Sequence, residues 1–175
     1  MKINCHRGKQ VTGMVNQKPG LIPTGATKFY TMIGTPIIQV RSPLNYNRYF
    51  AEHRIDAVMI AMDVPGNQVK AHFEHMRAIP NFGGCIATIP HKQATADCMD
   101  EMSERAGDLA AVNVVRAEKN GRLIGEMVDG LGFMLAARAK GLDMRGKRAA
   151  IIGGGVTGAA IALAMAEAGT AEIVI

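Results

Sequence analysis

The 175-residue chain is 48% hydrophobic and carries a formal net charge of +5, so it is long and apolar enough to fold around a core. It has no run of about twenty apolar residues that could cross a membrane and no apolar block typical of a signal peptide, which favours a soluble cytoplasmic protein without a membrane partner. The three cysteines, Cys5, Cys85 and Cys98, form no C-x-x-C pair and cannot all be paired, so we expect free thiols in a reducing compartment.

Residues 1–28 form a basic leader in which five Lys or Arg residues occur without any acidic residue. Their charge equals that of the whole chain, so the remainder is neutral overall. Repeated Gly and Pro residues without hydrophobic periodicity predict a flexible leader rather than a nucleic-acid-binding arm. The segment has a single Arg and no Ser, unlike an organelle-targeting peptide. We therefore expect no nucleic-acid partner.

Residues 29–140 alternate between strand-like and helix-like segments. Buried or β-rich runs predict strands at "FYTMIG", "DAVMIAM" and "GCIAT", of which "DAVMIAM" is expected to be buried. Asn120-Gly121 lies between two strand-like halves of "AVNVVRAEKNGRLIGEMV" and predicts a hairpin. The alternation predicts an α/β fold whose sheet is mostly parallel with an antiparallel addition.

Four helices are predicted between these strands: "SPLNYNRYFAEHRI", "NQVKAHFEHMRAI", "KQATADCMDEMSERAG" and "GLGFMLAARAKG". Ser42 is expected to cap the first helix with Pro43 as its first residue, and Gly141 is expected to end the last. His72 and His75 share one face of the second helix, but zinc needs further ligands at compatible spacing. We therefore expect surface histidines and no metal site.

A second unit, residues 146–175, reads strand, glycine-rich turn, helix and strand. In its G-x-G-x-x-G pattern Gly153 allows a tight turn, Gly155 allows a pyrophosphate to approach the backbone, and Gly158 allows the helix to pack closely on the strand. Val156 and Thr157 open the helix, whose free N–H groups and dipole favour anions. The pattern predicts the first β-α-β unit of a Rossmann domain that binds NADP or NAD.

Two charged residues of the first unit are candidates for proton transfer. Lys92 follows a strand and a rigid Ile89-Pro90 turn, so its amine could point into a cleft, although a solvated lysine at the start of a helix explains it as well. Asp129 lies between a strand and a helix, where capping of the helix is an alternative role. Neither residue identifies a site by itself.

Taken together and in chain order, "GTPIIQVRSP", "TIPHK", "AVN", "VDGLGF" and "GGGVTGAA" resemble the shikimate and quinate dehydrogenases. The resemblance runs from about Phe29 to the end of the chain. It implies a substrate-binding α/β domain at 29–140, an incomplete Rossmann domain at 146–175 and an active site in the cleft between them. It also implies oxidation of shikimate, or of a related cyclic hydroxy-carboxylate, to the 3-dehydro ketone by a monomer or homodimer.

The resemblance also assigns roles to individual residues. Lys92 matches the catalytic lysine of the family, and Asp129 matches the aspartate that pairs with it on the reacting hydroxyl. Ser42 matches a serine that hydrogen-bonds the substrate carboxylate. Thr88 and Asn113 match residues that contact the substrate.

Several positions depart from the family pattern. The family usually reads His-Ser-x-Ser-Pro where residues 39–43 read Gln-Val-Arg-Ser-Pro, and Ile86, Met127 and Val128 stand where the family has polar residues. An unpaired buried hydroxyl costs on the order of 1–3 kcal/mol, so each such change should weaken binding of shikimate. We expect a divergent member whose substrate is related to shikimate but is contacted differently, with Arg41 binding the carboxylate.

A complete dinucleotide fold needs more strands than this sequence holds. We expect them beyond Ile175, together with the residue that distinguishes NAD from NADP, which usually lies about twenty residues past the glycine motif. The alternative is a truncated product that binds a small carboxylate without catalysis, or that associates with another chain through the open edge of its last strand.

Overall fold

The computed structural model describes residues 22–175, and most of the basic leader lies outside this range. Within it the elements follow in the order β1 (Lys28–Gly34), α1 (Ser42–Glu52), β2 (Ala57–Asp63), α2 (Val69–Met76), β3 (Phe82–Ala87), α3 (Lys92–Ala96), β4 (Glu101–Met102), α4 (Glu104–Asp108), β5 (Val114–Ala117), β6 (Leu123–Glu126), α5 (Asp129–Ala139), β7 (Arg148–Ala150), α6 (Val156–Glu167) and β8 (Glu172–Val174). Lys28, the last residue of the leader as defined from sequence, already belongs to β1.

Six strands form one sheet in the order β2-β1-β3-β5-β6-β4. Strand β1 pairs in parallel with β2 and β3, β4 pairs in parallel with β6, and β5 is antiparallel to both of its neighbours. Gly121, with a φ of +82°, lies in the turn of the predicted β5–β6 hairpin. The α/β class, the antiparallel addition and the hairpin are all confirmed.

Three local predictions are wrong. "KQATADCMDEMSERAG" is not one helix, because the Asp100 carboxylate accepts a hydrogen bond from Leu123 N–H (2.7 Å) and aligns β4 with β6 between α3 and α4. Within residues 22–175 strand β2 lies at the edge of the sheet rather than in its middle, and its Ile60 side chain is exposed. The cap of α1 is Arg41, so Ser42 is the first helical residue.

The second sheet consists of β7 and β8, which are parallel and joined by α6. This confirms the predicted β-α-β unit around the glycine-rich turn. Helix α6 packs on α5 at Gly130, where a Cβ atom would lie 2.0 Å from the carbonyl oxygen of Ala160. An ion pair between Arg105 on α4 and Glu167 on α6 (2.9 Å) adds a second link between α6 and the first unit. The two units therefore meet along α6.

One core runs through both units. Its fully buried members include Ile33 on β1, Phe73 on α2, Leu123 on β6, Met127 just after β6, and Ala160 on α6. Apolar burial on this scale is the main stabilising contribution to such a fold. Since Ala160 belongs to the same cluster, the helix that follows the glycine-rich turn is fixed against the larger sheet.

The prediction of surface histidines is wrong for His72. Its ring is buried beside the Thr31 hydroxyl (3.4 Å), because this face of α2 lies against β1. Across residues 22–175 no group of three or more His, Cys, Asp or Glu side chains is arranged to hold a metal ion. No helix in the same range is long and apolar enough to span a membrane.

Burial of His72 should make stability depend on pH. Burial, and then repulsion from His75, lower the pKa of His72 below its usual 6.5, so the unfolded chain binds the proton more readily. Stability should be full above about pH 6.5 and should fall as the pH drops from there through the pKa of the folded state. Urea unfolding between pH 7.5 and 5 should show this loss in the wild type and a smaller one in His72→Gln. A loss of stability that His72→Gln leaves unchanged would contradict this assignment.

Candidate active site

Four polar side chains form a continuous hydrogen-bonded network where the two units meet. The Lys92 ammonium donates to Asp129 Oδ2 (2.5 Å) and to Thr157 Oγ1 (2.9 Å). Asn113 Nδ2 donates to the other carboxylate oxygen of Asp129 (2.6 Å). The Lys92 side chain is 10% exposed and that of Asp129 is 28% exposed, so the lysine is largely buried and the carboxylate is partly open to water.

Lys92 is held in place by the buried residue before it. His91 is 1% exposed, and its Nε2–H donates to the Val64 carbonyl just after β2 (2.6 Å). The Lys92 carbonyl accepts from Val112 N–H (2.9 Å), which ties the start of α3 to the segment before β5. His91 is a positioning residue that the sequence analysis missed, although it lies within the quoted "TIPHK" motif.

Asp129 is the first residue of α5, where a carboxylate interacts favourably with the helix dipole. It does not cap the helix, since Val128 is the cap residue and its side chain makes no capping hydrogen bond. Asn113 instead holds it, because its Oδ1 accepts from Val128 N–H (2.9 Å) while its amide group binds the Asp129 carboxylate. Asn113 therefore holds both the Asp129 carboxylate and the backbone just before it, which orients the carboxylate toward Lys92.

The glycine-rich turn faces this network and fits a pyrophosphate. A Cβ atom at Gly153 or Gly155 would meet no atom of the described residues 22–175 within 4 Å, so a ligand can approach the backbone there. A Cβ on Gly158 would lie 2.1 Å from the Gly153 carbonyl oxygen, which fixes glycine at that position. Val156 packs partly buried against the main core, and Thr157 follows it in the first turn of α6.

An open cavity of about 300 Å³ separates the two elements that carry these groups. The residues following β3 line one side, including Ile89, Pro90 and Lys92. The glycine-rich turn and the start of α6 line the other. The cavity therefore opens beside Lys92 and the first turn of α6.

The remaining predicted substrate residues lie outside the hydrogen-bonded network. Thr88 is on the loop after β3, where its carbonyl accepts from His91 N–H (2.8 Å). Ser42 is half-buried and Arg41 is exposed at the start of α1, and within residues 22–175 no hydrogen bond or ion pair joins either side chain to Lys92 or Asp129.

Two of the apolar departures belong to the core. Met127 is fully buried in the main cluster, and Ile86 packs against a smaller cluster around Met32 and Phe50. Val128 is half-buried next to Asp129. Of the three apolar replacements, Val128 therefore lies nearest to the candidate proton-transfer pair in the sequence.

Comparison with known proteins identifies the family. Residues 32–115 match the family described as shikimate dehydrogenase substrate binding domain. The shikimate dehydrogenase (NADP(+)) of Rubrobacter xylanophilus is 36% identical over 149 residues, which are 85% of this chain and 52% of that protein. The chain therefore carries a substrate-binding domain of the shikimate dehydrogenase family at residues 32–115. It spans about half the length of the curated members of this family that it matches.

Solved structures of shikimate dehydrogenases share the fold across both units. The enzyme from Listeria monocytogenes in complex with shikimate and NAD superposes with a TM-score of 0.81 and 34% identity, covering 86% of this chain and 52% of that one. A 5-ketofructose reductase from Gluconobacter is also similar, with a TM-score of 0.76, 31% identity and coverage of 84% and 52%. Proteins with this fold and comparable identity therefore carry names for two different substrates.

Proposed function

We propose that the chain provides the substrate-binding and proton-transfer half of an NAD(P)-dependent dehydrogenase. Its substrate would be shikimate or a related cyclic hydroxy-carboxylate, interconverted with the 3-dehydro ketone. The observation that carries the proposal is the Lys92–Asp129 pair, hydrogen-bonded at 2.5 Å beside a glycine-rich turn that can accept a pyrophosphate. The family match of residues 32–115 and the shikimate complex of the Listeria enzyme support the choice of substrate class.

The residues of this chain supply proton transfer and orientation. In the direction of ketone reduction, an N–H bond of the Lys92 ammonium breaks as its proton passes to the carbonyl oxygen, which becomes the hydroxyl. Asp129 holds the ammonium toward the reacting oxygen, and Asn113 holds Asp129. Oxidation runs through the same positions in reverse. Because the Lys92 side chain is only 10% exposed, water competes little for its hydrogen bonds.

A nicotinamide cofactor, when bound, supplies or accepts the hydride. Gly153 and Gly155 provide the open backbone that its pyrophosphate needs, and the first turn of α6 provides free N–H groups. The name of the Rubrobacter relative favours NADP, whereas the Listeria structure contains NAD. Both cofactors therefore belong in the assay.

Arg41 is the proposed determinant of altered specificity. It is exposed, and in the described part of the chain its guanidinium forms no ion pair with a protein carboxylate. It stands next to Ser42, where the family pattern places groups that bind the substrate carboxylate. A guanidinium binds a carboxylate with two parallel hydrogen bonds, which would replace the lost hydroxyl.

The test is a steady-state assay of the polypeptide produced from its native gene, with shikimate, quinate and 5-ketofructose and with NADP or NAD. We expect turnover of a cyclic hydroxy-carboxylate, and we expect Arg41→Ala to raise KM about tenfold with kcat unchanged, the effect of losing about 1.4 kcal/mol of binding. Arg48→Ala, on the exposed part of α1, is the control. Absence of turnover with every combination of substrate and cofactor would contradict the proposed activity. Efficient use of shikimate that Arg41→Ala does not affect would contradict the altered specificity alone.

A further inference from the structure

We propose that the Thr157 hydroxyl positions Lys92, so that the helix following the cofactor turn orients the lysine used in proton transfer. The sequence motif assigns Thr157 to cofactor binding through the helix N-terminus. In the structure its side chain instead reaches across the cleft and accepts a hydrogen bond from Lys92 Nζ at 2.9 Å. The use of Lys92 in proton transfer rests on the proposed function, whereas the positioning of its ammonium by Thr157 does not.

The donors of the ammonium group limit where it can point. A lysine ammonium has three N–H donors. One is bound by Asp129 and a second by Thr157, which leaves a single N–H for a substrate oxygen. With only Asp129 as a partner, the ammonium could rotate about that one hydrogen bond. Two fixed acceptors therefore define the direction of the third donor.

The Thr157 hydroxyl is itself held at a defined place. A β-branched side chain on a helix has few χ1 rotamers, so the oxygen has little freedom once the helix is fixed. Helix α6 is fixed by the contact of Gly130 with Ala160, one turn after Thr157. Gly130 directly follows Asp129, so the same helix contact sets the positions of both acceptors of Lys92.

The hydrogen bond crosses from α3 of one unit to α6 of the other. Orientation of Lys92 therefore depends on how α6 lies against the larger sheet. Binding of a phosphate group at the free N–H groups of the glycine-rich turn could move this turn. Such a movement would shift Thr157 and change its hydrogen bond to Lys92. Thr157 thus links the cofactor turn to the proton-transfer pair.

The experiment measures the acetylation rate of Lys92 in the 175-residue chain by an N-hydroxysuccinimide ester, without substrate or cofactor. Peptide mass spectrometry compares this rate with that of Lys70, whose side chain is 83% exposed. Thr157→Val keeps the shape of the side chain without its hydroxyl. Thr157→Ala also removes the hydroxyl, and alanine has a higher helix propensity than threonine. Thr157→Ser restores a hydroxyl. Thr170→Val is the matched control, because the buried Thr170 hydroxyl has no hydrogen-bond partner within residues 22–175.

We expect Lys92 to react at least threefold faster in Thr157→Val and Thr157→Ala, and at the wild-type rate in Thr157→Ser and Thr170→Val. A wild-type rate in Thr157→Ala would overturn the proposal, and so would a Thr157→Ser rate as fast as that of Thr157→Ala. Protection of the buried Cys85 from a maleimide shows in each sample that the chain is folded. If Cys85 reacts with the maleimide in Thr157→Val, that variant is not folded, and the comparison of Thr157→Ala with Thr157→Ser tests the proposal instead. The labelling uses no turnover, so its failure leaves the proposed dehydrogenase activity standing.

Discussion

Replacing Lys92 with methionine should lower kcat for the proposed alcohol substrate by a factor of about 10² to 10⁴, the usual contribution of a positioned general acid or base. Methionine has nearly the length of lysine and fills its buried site without an ammonium. The proton donor at 2.5 Å from Asp129 is then lost, while the glycine-rich turn is untouched. Binding of NADP or NAD, measured by fluorescence titration, should therefore change little.

The matched control for this variant is Lys70→Met on α2, where the side chain is exposed and, among residues 22–175, forms an ion pair only with Glu74 at 3.9 Å. An exposed pair of this kind contributes little to stability, so the control should retain full turnover and an unchanged melting temperature. Lys92→Met that keeps wild-type kcat would remove Lys92 from the chemistry. A melting temperature that drops steeply would instead assign the lost activity to folding.

The local features were predictable because their causes are local. The β-α-β unit follows from glycines whose positions are set by contacts within the turn, such as Gly158 against the Gly153 carbonyl. The hairpin follows from Asn120-Gly121, where Gly121 takes the positive φ that a tight turn requires. In both cases the residues that decide the structure are neighbours in the chain.

The candidate site could not be predicted from neighbouring residues, because pairing of distant strands in the sheet brings its residues together. Lys92 and Asp129 lie 37 residues apart, and each has an ordinary explanation by itself, a solvated lysine or a helix cap. They meet because β5 and β6 pair next to β3 and bring Asn113 and the start of α5 beside α3. The resemblance to known dehydrogenases identified both residues, whereas periodicity alone left their roles open.

The failed predictions also have tertiary causes. The segment after Lys92 has a helical pattern, but the Asp100 carboxylate binds a backbone N–H of β6 and turns the chain into β4. His72 has the polar character of a surface residue, but its helix face packs on β1 beside Thr31. In both cases the contacting residues are far apart in the chain, so the local sequence pattern does not predict the contact.

Gly130→Ala should destabilise the chain by about 3 kcal/mol, at the upper end of the usual cost of overpacking a core. The added methyl group would lie 2.0 Å from the Ala160 carbonyl oxygen, which is backbone of a fully buried residue and cannot rotate away. Helix α6 must therefore move away from α5. Equilibrium unfolding in urea should show a lower midpoint with a similar slope.

Gly132→Ala, two residues along the same helix, is the control, because a Cβ there lies more than 4 Å from every other described part of the chain apart from its own helix. It should raise stability by about 0.5–1 kcal/mol, since alanine loses less backbone entropy than glycine in a helix. The two substitutions add the same methyl group and differ only in what it meets. Equal midpoints would show that the α5–α6 contact is loose in solution. A lower midpoint for Gly130→Ala alone would show that this contact holds α6 against α5, and with it the turn that faces Lys92.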